Sequence, residues 1–161
     1  MLSKKELNKY LSQLSKEELI NEIEKLHSKF KQVQEFYLLE LGNDTSKFLK
    51  DYKKKLDKIF YPKGMFINPS MAEANKVINE FSKISVHVVD TIDLMLYKAE
   101  LSVKLFENWG HEFPNVINSF MTGYNKVINL IQENNLEDYF RERCMKIQAY
   151  GLNYGLINEM I

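Results

Sequence analysis

Asp93 and Glu100 are the carboxylates of this 161-residue chain with the best claim to chemistry. They stand in HVVDTIDLMLYKAELSVK, residues 87–104, together with Asp90, Tyr97 and Lys104. At helical spacing these five side chains share one strip of an otherwise apolar helix. A strip of that kind either faces water or lines a cleft. The functional reading is a small-ligand or acid–base site using Asp93 and Glu100, with Tyr97 between them. The simpler reading is a solvated strip or a polar network, in which Asp93–Tyr97 and Glu100–Lys104 are i,i+4 partners. The simpler reading is the one we expect, and no residue is assigned a catalytic role.

Lysines make the second constellation. Lys47, Lys50, Lys54 and Lys58 fall within roughly 80° of one helix face at 100° per residue. Lys53, Lys55 and Lys63 add to them, and Asp51 and Asp57 oppose them. Such a stripe holds phosphates or an acidic protein surface by point charge. It lacks the arginine fork that reads guanine, so any nucleic-acid binding should be non-specific and salt-sensitive. An ordinary solvated helix face carries the same pattern.

Other signals exclude more than they suggest. Glu24 and His27 have the E-x-x-H spacing of di-metal bundles, but such sites need a second copy. His87 and His111 are preceded at that spacing by Ile84 and Asn108, so no metal or other cofactor is expected. Cys144, in YFRERCMKI, is the only cysteine. Arg141 and Arg143 beside it would lower a thiol pKa, yet no Cys–His pairing is visible and a core role is the simpler one. There is no P-loop, G-x-G-x-x-G, H-E-x-x-H or G-x-S-x-G.

The elements that must position these residues are helical throughout. S-K-[KE]-E-L occurs at Ser3–Leu7 and Ser15–Leu19. Each copy is a capping box, in which a serine hydroxyl and a glutamate satisfy orphan amides at a helix start. Scaffolding is expected of this pair ahead of a DNA-reading helix-turn-helix, because the second start carries Glu17, Glu18, Glu22 and Glu24, which repel phosphate. Leu19, Ile23, Leu26, Phe30, Val33 and Tyr37 then alternate 4 and 3 apart, which predicts one long helix ending at Gly42 and acting as a spine. A third helix carries the lysines on the face opposite Phe48 and Leu56. A fourth begins at a third capping box, Ser70 and Glu73. The fifth runs from about Val88 to Asn108, is apolar around most of its circumference, and should be central. The sixth spans about Asn115–Glu133 behind Pro114, and the seventh starts near Asn135, with Gly151 a candidate kink. The reading is an all-α fold of six or seven mostly antiparallel helices, in an irregular bundle or short helical array, forming one domain over residues 1–161.

Composition bounds the setting. Basic and acidic residues number 22 each, hydrophobic residues make 45%, and no apolar run reaches the ~18 residues of a membrane span. One cysteine and no signal peptide point to the cytoplasm. Two stretches look like contact surface. GMFIN places Met65, Phe66 and Ile67 together in a loop, and LINEMI leaves Ile157, Met160 and Ile161 at the chain end, where a homodimer seam is one use.

The segments SKKELNKYLSQLSKEELINEIEKLHSKFKQVQEFY, FYPKG, DLMLYKAEL, NSFMTGYNKVINLI and ERCMKI resemble, in order, a bacterial family of small helical proteins, domain of unknown function family 6155. The resemblance implies an all-helical fold and brings no catalytic residues with it. The expectation is a non-catalytic adaptor or regulator that binds another protein through the lysine stripe, the Met65–Ile67 loop, or both. Non-specific nucleic-acid association through the stripe is the alternative, and an enzyme or ligand binder using Asp93, Tyr97 and Glu100 the next.

Overall fold

The structure is a computed structural model that describes residues 2–42, 45–64, 68–154 and 156. The Met65–Ile67 loop and the terminal Ile157, Met160 and Ile161 lie outside the described residues. Among the described residues there are eight helices and no strand. They divide into two compact units, 1–43 and 44–161.

The first unit holds α1 (Lys4–Leu11), α2 (Lys16–Lys29) and α3 (Lys31–Leu41). Both capping boxes form. The Glu6 amide donates to Ser3 Oγ while the Ser3 amide donates to Glu6 Oε2, and Ser15 and Glu18 repeat the pattern. The long spine does not form. The helix breaks at Phe30, which is extended at φ −121°, ψ 115° and serves as both the end of α2 and the cap of α3. The Gln34 side-chain amide donates to the His27 carbonyl at 2.8 Å, satisfying one of the acceptors the break exposes. Folding α3 back on α2 explains why the count is eight where six or seven were expected.

The second unit holds α4 (Ser46–Phe60), α5 (Met71–Ile84), α6 (Val88–Trp109), α7 (Pro114–Glu133) and α8 (Glu137–Asn153). α6 is its centre, and α4, α5, α7 and α8 all pack on it. Ile92, Leu94, Leu96, Leu105 and Phe106 of α6 are buried, as all-round apolarity requires. The helix stops at Gly110, whose φ of 68° is open to glycine without strain. Pro114 opens α7, where its missing N–H costs nothing. Asn135, at φ 54°, turns the chain into α8. Ser70 caps α5 by accepting from the Glu73 amide.

Candidate functional site

The polar strip of α6 is tied to two other helices. Arg143 of α8 holds Glu100 with a fork, Nε to Oε1 at 2.6 Å and Nη2 to Oε2 at 3.0 Å. Its Nη1 reaches Asp93 Oδ1 at 3.1 Å. Lys53 of α4 meets the same Asp93 oxygen at 2.6 Å, and Tyr97 donates its hydroxyl to Asp57 Oδ1 at 2.6 Å. The i,i+4 partnerships expected within α6 therefore give way to bonds between helices, and Lys104 lies instead over the Tyr61 ring. The Lys53–Asp93 and Asp57–Tyr97 pairs both advance four residues in the same direction, so α4 and α6 run parallel where they touch. Burial and the Asp57 bond together push the Tyr97 hydroxyl up to about 12. Burial works against the Arg143 charge, but Glu100 and Asp93 outweigh it and hold its pKa above the ordinary value. Each carboxylate of the strip that the sequence singled out for chemistry thus has a cationic partner inside the fold.

The lysine face of α4 is divided. Lys47, Lys50, Lys54 and Lys58 are all exposed. Lys54 pairs with Asp51 at 3.0 Å, Lys53 turns to Asp93, and Lys55 stands 3.5 Å over the Tyr52 ring. Lys47, Lys50 and Lys58 form no ion pair among the described residues.

A different lysine is the unusual one. Lys98 of α6 is only 6% exposed. Its Nζ donates to Asn75 Oδ1 of α5 and Ser119 Oγ of α7, each at 2.7 Å, and it has no carboxylate partner among the described residues. It forms the floor of a cleft of about 280 Å³ between α5, α6 and α7. Ile78, Met95 and Phe120 supply apolar wall, and Lys126 a second positive charge. Burial pushes the Lys98 amine down to about 8. Burying an uncompensated charge is costly, so a group of this kind calls for an explanation.

A family model described as a family of unknown function (DUF6155) matches residues 2–160. The chain belongs to DUF6155. No curated protein and no solved structure matches it. What this DUF6155 chain can do must therefore be argued from its own side chains.

Sequence reasoning missed Lys98, although a signal was present. Leu94, Leu101 and Leu105 lie four before, three after and seven after it, so Lys98 occupies a core position of the α6 stripe. The arginines beside Cys144 are engaged elsewhere. Arg143 is committed to Glu100 and Asp93, and Arg141 pairs with exposed Asp138. Burial pushes the Cys144 thiol up, against smaller lowering effects from Tyr124 and Arg143. Cys144 is thus a half-buried residue whose thiolate is suppressed, in line with the simpler reading of it.

In the first unit of this DUF6155 chain, α1 and α2 contain no buried residue. Ile20, Ile23, Leu26 and Phe30 are 44–50% exposed, so much of the stripe that should have been core stands open. Among the described residues no helix is long and apolar enough to cross a membrane.

Proposed function

We propose that this protein is a non-catalytic protein-interaction module whose α2 face takes an amphipathic helix of a partner protein. The observation that carries this reading is the exposed stripe of Ile23 and Leu26 on a helix with no buried residue, continued by exposed Phe30 at its C-cap. Helix docking uses apolar anchors at such spacings. Fully burying an Ile, Leu or Phe side chain is worth about 1.5–3 kcal/mol, so three half-exposed anchors can supply several kcal/mol. The lone thiol of Cys144 suits the reducing cytoplasm.

The test is a tagged pull-down of the full chain from host lysate, with and without nuclease, beside the Ile23→Gln, Leu26→Gln double variant. The reading expects one stoichiometric protein that survives nuclease and is lost from the variant. Equal recovery by the variant would rule out the α2 face. Light scattering on the purified chain distinguishes a second copy of the protein from a foreign partner.

A second reading, non-specific nucleic-acid association, draws on the exposed face of Lys47, Lys50 and Lys58 beside Lys54. It expects retardation of nucleic acid only at low salt, abolished by Lys50→Glu with Lys54→Glu. Tight binding at high salt that survives those changes would sink it.

A further inference from the structure

We propose that the cleft between α5, α6 and α7 is a receptor for a small monocarboxylate with an apolar tail, bound through Lys98, Asn75 and Ser119. The case begins with donor and acceptor inventory. A lysine ammonium has three N–H donors and no acceptor. It therefore requires Asn75 to present Oδ1 and Ser119 to present Oγ, as the 2.7 Å contacts show. Asn75 is left with its amide N–H donors and Ser119 with its O–H, and neither donates a side-chain hydrogen bond to any described residue. With the third N–H of Lys98, buried Lys98, half-buried Ser119 and exposed Asn75 form a cluster of donors around one buried positive charge, and no carboxylate lines the cleft.

Gly123 supplies the space. It lies inside α7, where glycine weakens a helix. A Cβ built there would stand 3.7 Å from Lys98 Nζ. A helix-weakening residue beside a buried ammonium leaves open the approach that any other side chain would narrow. The walls select the class of anion. Lys98 is the one buried charge of the cleft, with Lys126 exposed, so the floor balances one negative charge, whereas a phosphate monoester carries about −1.5 to −2 at neutral pH. Ile78, Met95 and Phe120 favour an apolar tail behind the carboxylate. The volume lies just below the range of drug-sized ligand pockets, about 300 to 1,000 Å³, which suits a small ligand.

The experiment titrates the full chain with sodium hexanoate, 1-hexanol and inorganic phosphate, following heat and backbone amide shifts. Hexanoate should move amides of α5, α6 and α7, and 1-hexanol should bind far more weakly. Lys98→Met should weaken hexanoate by about tenfold or more, the loss expected for a charge-assisted hydrogen bond. Gly123→Ala keeps the amine and narrows its approach, so it should weaken hexanoate without lowering thermal stability. That second variant holds the test open should Lys98→Met fail to fold. Absence of shifts at millimolar hexanoate, equal binding of hexanol, or phosphate bound in preference to hexanoate would each overturn the proposal. None of these readouts depends on the α2 face.

Discussion

Arg143 grips Glu100 from 43 residues away, with both oxygens of one carboxylate taken by one guanidinium. The same guanidinium touches Asp93, so a single side chain of α8 bridges two acids on the central helix, and Lys53 supplies the second positive charge. Arginine suits this because its planar fork matches a carboxylate, which a lysine cannot do. The cluster is about one-quarter to one-third exposed, so it should be worth less than a fully buried pair.

Arg143→Met should destabilise the second unit by about 1–3 kcal/mol, because Glu100 and Asp93 lose a shared cation. Arg143→Lys should recover only part of that. Urea unfolding of the two variants beside the parent checks it, and equal midpoints for all three would show the cluster to be neutral.

Lys98 should make stability rise with pH. Its amine titrates near 8 in the fold, because burial penalises the charged form, and at its ordinary 10.5 when unfolded. Between those values the unfolded chain holds more protons, so unfolding becomes less favourable as pH increases. The gain from pH 8 to 10 should be about 2 kcal/mol at 1.36 kcal/mol per pKa unit. Above about pH 10 the raised hydroxyls of Tyr97 and Tyr150 act in the opposite sense, since unfolded tyrosines ionise first. Denaturant midpoints between pH 8 and 10 should climb in the parent and not in Lys98→Met, where the raised Cys144 thiol acts in the opposite sense.

Gly123→Ala should raise the melting temperature by about 2–4 °C, from about 1 kcal/mol of helix propensity. The new Cβ meets Lys98 Nζ at 3.7 Å, an ordinary contact. A lower melting temperature would mean that α7 is packed more tightly there than the structure has it.

Replacing Ile23 and Leu26 together by Gln should change stability by less than about 0.5 kcal/mol, because both side chains are already half in water. Circular dichroism melts decide this. A large loss would show that the stripe is buried in solution.

Local features were legible in the sequence. Ser3 and Ser15 cap helices with a glutamate three residues on, and Ser70 caps by its hydroxyl alone, because such contacts need nothing from the rest of the chain. Gly110 and Pro114 mark boundaries for equally local reasons. The break at Phe30 was hidden, since neither glycine nor proline stands there and the apolar spacing continues through it. The site depended on contacts across the chain. Arg143 lies 50 residues from Asp93, and Lys98 meets Asn75 and Ser119 on two other helices. Tyr97 and Glu100 in the same stretch drew attention to its polar strip, while Lys98 sat on its core stripe.

Cys144, half-buried on α8 with its carbonyl accepting from the Tyr124 hydroxyl, gives the chain a built-in clock. Thiolate is the species that alkylates, and burial suppresses it here. Modification should therefore be slow in the fold and faster when α8 lifts from its neighbours. The rate of iodoacetamide labelling at this one thiol then responds to how firmly α8 is held, with no engineered label. Removing the Arg143 grip should make that clock run faster.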